Sequence, residues 1–451
     1  MTGCTVKELC AAVGGTLLQQ SGAVVTQVST DSRSIPNRAL FVPLVGERFD
    51  GHDYLDAALE RGAAGCLTAK KPAALLKDKF YIQVSDTLEA LKALAAWYRA
   101  KFDIPMVQVT GSAGKTTTKE MIAAVLSQRF STLKTQANFN NAIGTPMTLL
   151  NLAPEHQAAV IETGMNHFGE IRYLGEMVRP TVAVITNVGD AHIENLGGTR
   201  QGILQAKCEI FENLQPGGLA VLNGDDELLS GLALPFETVL CGRHERCGVR
   251  VTNVAEHGIE GVTCTVTTGR EVYEVAIPSP GAYMIYPAAM AIAIGEHLGL
   301  TKAELLSGIA AYRPVGSRMH LVRCGGDRII IDDCYNANPQ AMAEALRILA
   351  QTEHPRRMAV LGDMGELGDL TEQAHRDMGA LTRTLGLDTV VAVGPKAKAI
   401  QDANPDVLWF PTVAEALSAI RAAFTAGTAV LVKASHAMHF TDIVKDLEST
   451  E

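Results

Sequence analysis

The sequence predicts an α/β protein of three domains: a small α/β N-terminal domain, a central P-loop ATPase-like doubly wound, mostly parallel sheet, and a C-terminal Rossmann-like α/β domain. Length is the first observation, because 451 residues exceed the ~250–300 residues at which single cores stop growing. Composition is the second, since 41 glycines and only 5% aromatic residues suit a fold with many tight strand-to-helix turns. The third is that short apolar runs alternate with helical patterns through most of the chain.

The N-terminal domain is predicted over residues 1–85, which mix short strand-like runs such as 39–44 with a helix near 54–61. An amphipathic helical pattern over 89–102 follows and leads into a strand pattern at 105–109. We therefore place the first domain boundary at residue 86.

The central domain is predicted over 86–313 and the C-terminal domain over 314–451. Continuous apolar runs at 158–161 and 182–186 are typical of buried parallel strands. Between 249 and 277 the pattern changes to alternation around a turn at 268–269, which predicts a small antiparallel flap. The C-terminal domain is expected to begin with a strand at 328–332 and to continue with strand–helix units whose strands lie at 358–362, 389–394 and 429–433.

A glycine-rich stretch, T-G-S-A-G-K-T-T-T at 110–118, stands between a predicted strand and a predicted helix. Backbone N–H groups in such a turn attract phosphate oxygens, a lysine reaches the β and γ phosphates, and a threonine hydroxyl can bind Mg²⁺. Val109 replaces the first glycine of the full motif, so the turn is a shorter variant. A turn without ligand would not need a lysine followed by three threonines. The sequence predicts ATP or GTP binding by Gly111, Ser112, Ala113, Gly114, Lys115, Thr116 and Thr117.

Charge and cysteine usage exclude several classes of protein. A net charge of −10 without a basic run argues against nucleic-acid binding, so the ligands should be small molecules. Nine cysteines without a C-x-x-C pair predict neither a zinc ribbon nor a disulfide framework, which fits a reduced cytoplasm. No apolar stretch approaches the ~20 residues of a membrane span, and no signal peptide is expected.

Glu162 and His192 each follow a short apolar strand pattern. In an open parallel sheet this position lies beside the phosphate loop, where ligands bind. Glu162 could therefore be a metal ligand or a solvated loop carboxylate. His192 could equally be a metal ligand or a loop histidine in an ordinary hydrogen bond.

Two further polar clusters follow strand patterns in the last domain. Asp332 and Asp333 precede the segment Y-N-A-N-P at 335–339, which could bind a nucleotide or cap the next helix. The segment G-D-M-G-E-L-G at 362–368 could face the same cleft or form an acidic surface turn.

With these motifs in place, the chain resembles the Mur ligases of peptidoglycan synthesis over nearly its whole length. The D-N-P-R motif of the diaminopimelate-adding branch is absent, and the segments 335–339 and 362–368 resemble the branch that adds a dipeptide. The other segments that carry the resemblance are D-S-R at 31–33, L-F-V at 40–42, D-G-H at 50–52, the phosphate loop, N-F-N-N-A-I-G-T-P at 138–146, E-T-G at 162–164 and A-K-C-E-I at 206–210.

The resemblance implies an ATP-dependent ligation in which a carboxylate of UDP-N-acetylmuramoyl-tripeptide is phosphorylated and the amine of D-alanyl-D-alanine attacks the acyl phosphate. The N-terminal domain would then bind the UDP-sugar-peptide. ATP and two Mg²⁺ ions would be required, and a monomer is expected. Lysine and diaminopimelate both fit the third position of the tripeptide.

The same resemblance implies roles for single residues. Lys115 would bind phosphate, while Thr116, Glu162, His192 and Lys207 would hold metal, with Lys207 carbamylated so that it offers oxygen ligands. Without the resemblance Lys207 would be interpreted as a helical surface lysine. Arg318, Asp333 and Asn336 would contact the nucleotide, and the implied substrate-binding residues are Ser32, Arg33, Asn140, Asn141, Asn338 and Asp363.

Three segments depart from the family pattern. G-A-Y-M-I-Y-P at 281–287 replaces a G-x-H-N segment, which leaves the adenine contacts open at Tyr283, Met284 and Pro287. Cys208 stands where glycine is usual and could be core filler or a reactive thiol. K-A-S-H at 433–436 replaces K-G-S-R, so Lys433 and Ser435 could carry over, whereas His436 cannot make the arginine contact.

Three alternative functions differ in their predicted signals. A ligase of the same family with another acceptor or acyl substrate would share the ATP chemistry. A P-loop switch of the GTPase type should carry an N-K-x-D motif, and none is present. A catalytically inactive scaffold would leave the joint presence of Lys115, Glu162, His192 and Lys207 unexplained.

Overall fold

The computed structural model describes residues 1–190, 193–365 and 367–449. They form two compact units, one of residues 1–250 with 289–308 and the other of residues 251–288 with those from 309 on. We call them unit 1 and unit 2. The predicted domain ranges 1–85, 86–313 and 314–451 stay a prediction, because the two units are defined by compactness in space and do not test those boundaries.

The beginning of unit 1 is a five-stranded sheet with three helices. The strand order is β2-β7-β6-β5-β4, with β2 antiparallel to β7 and the other pairs parallel, while β1 and β3 form a separate antiparallel pair. The elements are β1 (Cys4–Thr5), α1 (Val6–Ala12), β2 (Thr16–Gln19), β3 (Val24–Val25), β4 (Gln27–Ser29), β5 (Ala39–Phe41), α2 (Leu55–Glu60), β6 (Gly65–Thr68), β7 (Phe80–Gln83) and α3 (Thr87–Arg99).

Helix α3 confirms the amphipathic pattern predicted over 89–102. Its residues Leu91, Leu94, Ala95 and Tyr98 are all fully buried, as expected for apolar positions spaced three and four residues apart. Asp86 caps the helix by accepting hydrogen bonds from two backbone N–H groups of the first turn.

The second part of unit 1 is a parallel sheet with the strand order β13-β12-β11-β8-β10-β9. Its central strands are short, apolar and fully buried, as parallel strands covered on both faces must be. The elements are β8 (Met106–Thr110), α4 (Lys115–Leu126), β9 (Thr132–Lys134), α5 (Gly144–Leu149), β10 (Ala158–Glu162), α6 (Glu170–Val178), β11 (Val182–Ile185), α7 (Arg200–Cys208), β12 (Leu219–Asn223), α8 (Glu227–Ser230), β13 (Glu237–Gly242) and β14 (Val249–Glu256), which continues into unit 2.

Unit 2 contains a hairpin and a six-stranded sheet of order β17-β18-β22-β19-β20-β21, parallel except for β17. Helices α9 and α10 belong partly to each unit. The elements are β15 (Val262–Thr267), β16 (Val272–Ile277), α9 (Ile285–His297), α10 (Lys302–Ala311), β17 (His320–Cys324), β18 (Arg328–Asp332), α11 (Pro339–Ala350), β19 (Arg356–Gly362), α12 (Thr371–Thr384), β20 (Thr389–Val393), α13 (Lys398–Ala403), β21 (Leu408–Phe410), α14 (Val413–Ala423), β22 (Thr428–Lys433) and α15 (Thr441–Glu448).

Two sequence predictions about unit 2 have different outcomes. The antiparallel flap is confirmed, since β15 and β16 pair as a hairpin with alternating buried and exposed residues. The prediction that 328–332 is the first strand of the last domain is wrong, because β17 precedes it and pairs with it. No residue of this edge strand is fully buried, so its sequence lacks the continuous apolar run of the inner strands.

Within the described ranges, no helix is both long and apolar enough to cross a membrane.

Candidate functional site

The predicted phosphate loop connects β8 to α4, and two of its glycines are required by geometry. Gly114 caps α4 with a φ of +75°, a left-handed conformation that glycine adopts without steric cost. A Cβ atom on Gly111 would lie 1.8 Å from the Thr186 hydroxyl oxygen. The loop therefore runs too close to the neighbouring segment for any side chain at position 111.

The segment that follows β11 braces this loop. Thr186 donates its hydroxyl to the Ala113 carbonyl at 2.6 Å, and the side-chain oxygen of Asn187 accepts from the Ala113 N–H at 2.9 Å. The Ser112 hydroxyl accepts from the N–H of Gly189 at 2.9 Å. These contacts hold the loop in shape, which is what a rigid anion cradle needs. Sequence analysis missed Thr186 and Asn187, since nothing local marks them as partners of the loop.

Lys115, Thr116 and Thr117 form the first turn of α4. The Lys115 ammonium donates to the Gly111 carbonyl at 2.8 Å, so it lies over the loop whose phosphate it is predicted to bind. Thr116 is buried, whereas Ala113 and Gly114 are exposed. The partial positive charge of the helix N-terminus thus adds to the lysine charge beside an accessible loop.

Glu162 lies at the end of β10, in register with Val109 of β8. Its side chain is 3% exposed, so it is not a solvated loop carboxylate. One carboxylate oxygen accepts from the Asn140 amide at 2.9 Å. The other has no hydrogen-bond partner within the described residues. An anionic oxygen left unsatisfied in this way fits a cation ligand, because a buried carboxylate needs compensation.

Lys119, one helical turn after Lys115, lies near this carboxylate and is almost fully buried. Its ammonium donates to the Thr135 carbonyl at 2.7 Å and lies 2.8 Å from Glu120 and 3.9 Å from Glu162. Lys134 pairs with Glu120 from the other side. Sequence analysis missed this network, because a lysine in a helix is ordinarily exposed.

We expect Lys119→Met to lower the free energy of unfolding by about 3–5 kcal/mol, since the buried Glu120 would lose one of its two cations and the buried Glu162 would lose the ammonium 3.9 Å away. Lys134→Met should cost less than about 1 kcal/mol, because Lys134 is 35% exposed and water screens the loss. Urea unfolding of both variants measures the difference. Equal losses for the two variants would show that burial of Lys119 does not decide its contribution.

Lys207 lies in the last turn of α7 and is 3% exposed, so the interpretation as a surface lysine is wrong. Burial, together with the nearby Lys115 ammonium, lowers the pKa of Lys207 to about 7. Throughout the described ranges no acidic side chain forms an ion pair with it. A buried amine of this kind is neutral in a large fraction of molecules, and only neutral amines react with CO₂.

Two other residues singled out in the sequence have different outcomes. His192 lies outside the described residues, so its predicted metal role stays a prediction. Burial raises the pKa of the Cys208 thiol to about 11, which argues against a reactive thiolate.

No group of three or more His, Cys, Asp and Glu side chains among the described residues could hold a metal ion. A metal site here would therefore depend on other ligands such as Thr116 or a modified Lys207.

In unit 2, Asp333 follows β18 and is held by two donors. Its carboxylate oxygens accept from the Met319 N–H at 3.1 Å and from the Lys433 ammonium at 2.5 Å. Lys433 is 2% exposed and also donates to the Asn336 carbonyl at 3.0 Å. The structure thus brings together three of the residues singled out in the sequence, Asp333, Asn336 and Lys433.

An aromatic stack lies at the same edge of this sheet. The Arg318 guanidinium lies 3.7 Å from the centre of the Tyr335 ring, and the Tyr335 and His436 rings are 5.7 Å apart. Burial, and after it the negative charge of the nearby Asp333, raises the pKa of the Tyr283 hydroxyl. Flat rings and a planar cation suit contact with a base. The aromatic side chain of His436 contributes to this stack where the family pattern has an arginine.

Asn338 and Asp363 make local contacts in unit 2. Asn338 caps α11 by accepting from the Ala341 N–H at 2.9 Å, which is the helix-cap role that the sequence left open. Asp363 is buried and accepts from the Ala397 N–H at 2.7 Å, so the segment after β19 is not an acidic surface turn at this residue.

The other predicted substrate residues lie in unit 1. The carboxamide oxygen of Asn141 accepts from the N–H groups of Ile143 and Gly144, which fixes the turn before α5. Arg33 forms a two-point ion pair with Asp31 while its side chain is 86% exposed. The Ser32 carbonyl accepts from Arg61 at 2.8 Å. The Arg33 guanidinium is therefore held in one orientation by Asp31 and remains accessible to solvent.

Family models match most of the chain. They are described as Mur ligase family, catalytic domain, over residues 24–99; Mur ligase middle domain over residues 109–295; and Mur ligase, glutamate ligase domain, over residues 317–436.

Known proteins are similar to this one over nearly its whole length. The UDP-N-acetylmuramoyl-tripeptide--D-alanyl-D-alanine ligase of Bacillus subtilis (strain 168) is 35% identical over 457 residues, covering 98% of each chain. A crystal structure of MurF from Acinetobacter baumannii has a TM-score of 0.93 at 32% identity and covers 100% of both chains. MurF ligase from Thermotoga maritima in complex with ADP has a TM-score of 0.82 at 27% identity, covering 94% of this chain and 97% of that one. These similarities confirm the predicted three-domain α/β fold.

Proposed function

The chain belongs to the Mur ligase family, and from this premise we infer that it is an ATP-dependent amide ligase that adds D-alanyl-D-alanine to UDP-N-acetylmuramoyl-tripeptide. The observation that carries the chemistry is the braced phosphate loop beside a buried carboxylate, Glu162, on the adjoining strand. The choice of D-alanyl-D-alanine as acceptor is supported by relatives that are similar over nearly the full length and are D-alanyl-D-alanine-adding ligases by name. The ligation would yield the pentapeptide precursor of peptidoglycan, with ADP and phosphate released.

The chemical problem is to bring two anions together, because both ATP and the substrate carboxylate are negatively charged. The γ-phosphoryl group passes to the carboxylate, which turns a poor electrophile into an acyl phosphate. The dipeptide amine then attacks the acyl carbon, the C–N bond forms and phosphate leaves. Lys115 and the N–H groups of the phosphate loop would bind the phosphate oxygens and reduce their repulsion toward the carboxylate.

Metal ions would complete the charge balance, and the residues present fit them. Thr116, Glu162, His192 and Lys207 would hold two Mg²⁺ ions, with Lys207 acting as a carbamate. When bound, Mg²⁺ neutralises charge on the phosphate oxygens. The unsatisfied oxygen of Glu162 and the uncompensated burial of Lys207 are the observations that support this assignment.

The residues of unit 2 would bind nucleotide and acceptor. Asp333, fixed by Lys433, would accept from a ribose hydroxyl, and Arg318 with Tyr335 would contact the base. Asn336 would lie near the nucleotide.

Residues of both units are proposed to bind the substrates. They are the residues singled out in the sequence, namely Ser32, Arg33, Asn140, Asn141, Asn338 and Asp363. We also propose that the protein works as a monomer in the cytoplasm.

Phosphate release from ATP tests this function directly. With Mg²⁺ and UDP-N-acetylmuramoyl-tripeptide present, we expect release and a pentapeptide product with D-alanyl-D-alanine, and background release with D-alanine or other single amino acids. Tripeptides ending in lysine and in diaminopimelate are compared in parallel to define the acyl substrate. Release with a single amino acid and none with the dipeptide would replace the proposed acceptor by another.

A further inference from the structure

The segment Asp363–Gly365, which we call the β19 loop, leaves the carboxyl end of a central strand of the unit 2 sheet. Ligands of open parallel sheets bind at this end of the strands. The loop contains Asp363, one of the proposed substrate-binding residues. Its backbone conformation therefore bears on what the site can bind.

Hydrogen bonds to two distant segments fix the ends of this loop. The Gly365 N–H donates to the Ser435 hydroxyl at 2.7 Å, and the Ser435 N–H donates to the Asp363 carbonyl at 3.1 Å. The Asp363 carboxylate accepts from the Ala397 N–H at 2.7 Å. The backbone N–H at the centre of the loop, that of Met364, needs a partner of its own.

His375 of α12 is that partner and is completely buried. Its Nε2 accepts from the Met364 N–H at 3.0 Å, and its Nδ1 lies 2.6 Å from the Thr371 carbonyl. A backbone N–H can only donate, so Nε2 must be the acceptor and Nδ1 must carry the proton. Both ring nitrogens are thus used, one toward the helix and one toward the loop.

We propose that His375 is a positioning residue that sets the β19 loop for binding of D-alanyl-D-alanine. The proposal rests on the proposed function, because that function supplies the acceptor. A histidine that only filled the core would not need to reach a loop eleven residues earlier in the chain. Loss of this bond would leave the Met364 N–H buried without a partner, and the loop would shift to satisfy it.

Three substitutions separate positioning from packing. The side-chain oxygen of His375→Gln can reach the place of Nε2 and accept from the Met364 N–H. His375→Asn is shorter and reaches only the place of Nδ1, and His375→Leu makes neither bond. Thr382→Val is the matched control, since it removes buried hydrogen bonds of the same helix away from the loop.

The measurements are KM for D-alanyl-D-alanine, KM for ATP, the melting temperature and amide hydrogen exchange at Met364. We expect His375→Asn and His375→Leu to raise the dipeptide KM about 3- to 10-fold, as for one lost hydrogen bond, with the KM for ATP unchanged. Exchange at Met364 should accelerate in both. His375→Gln should retain the wild-type dipeptide KM and Met364 protection, and Thr382→Val should lower only the melting temperature.

Equal increases in dipeptide KM for His375→Gln and His375→Asn would overturn the positioning role, as would lower melting temperatures with every KM unchanged. If His375→Leu does not fold, the dipeptide KM of His375→Gln compared with that of His375→Asn still tests the positioning role. Failure of the proposed function would show differently, as a wild-type enzyme that rejects D-alanyl-D-alanine and accepts another amine. The same variants are then compared through the KM of that amine.

Discussion

We expect Lys115→Ala to lower the rate of ATP-dependent phosphate release by roughly three orders of magnitude, because it removes a charged group that stabilises the transferring phosphoryl group. The ammonium of Lys115 lies over the phosphate loop, 2.8 Å from the Gly111 carbonyl. Alanine keeps the helix, because it is the best helix former, but it leaves the phosphate oxygens without their cation. The effect should therefore fall on kcat far more than on folding.

Phosphate release with saturating substrates measures this loss, and circular dichroism checks that the variant is folded. Lys445→Ala is the control, because Lys445 is 75% exposed and its pair with Asp442 lies on the surface. This variant should turn over at the wild-type rate. A Lys115→Ala enzyme within tenfold of wild type would remove Lys115 from the phosphate-binding role.

Local patterns predicted the parts of the fold that depend on residues close together in the chain. The phosphate loop could be found because glycines, lysine and threonines stand at fixed spacing between a strand and a helix. Helix α3 followed from its apolar spacing, and the β15–β16 hairpin from alternation around a turn at 268–269. In each case the physical cause lies within about a dozen residues.

Contacts between distant segments could not be predicted in this way. Lys119 and His375 are polar residues of helices whose sequence position suggests exposure, yet each is buried against a segment at least eleven residues away. No local pattern marks Lys207 as a site residue, and only the family resemblance implied its role. Strand β17 was missed because an edge strand needs only one partner and no continuous apolar run.

The second large effect is expected for Lys207, whose proposed carbamate would bind metal. Lys207→Ala should lose most of the turnover, and millimolar acetate or formate should restore part of it, since a small carboxylate can enter the vacated space and supply the missing oxygens. Lys207→Arg should be inactive and should not respond to acetate, because its side chain fills the space and keeps its charge. The rescue therefore separates a lost oxygen ligand from a damaged fold.

Burial explains why this lysine is a suitable target for CO₂. At pH 7 an ordinary lysine is neutral in on the order of one in two thousand molecules, whereas a pKa of about 7 makes roughly half of the Lys207 amines neutral. The neutral fraction rises with pH, so at constant dissolved CO₂ the carbamate should increase as pH rises through about 7. Nuclear magnetic resonance with ¹³C-bicarbonate measures it as a carbonyl signal present in wild type and missing in Lys207→Arg. Absence of that signal from wild type, together with no rescue of Lys207→Ala, would leave Lys207 as a buried amine with no part in metal binding.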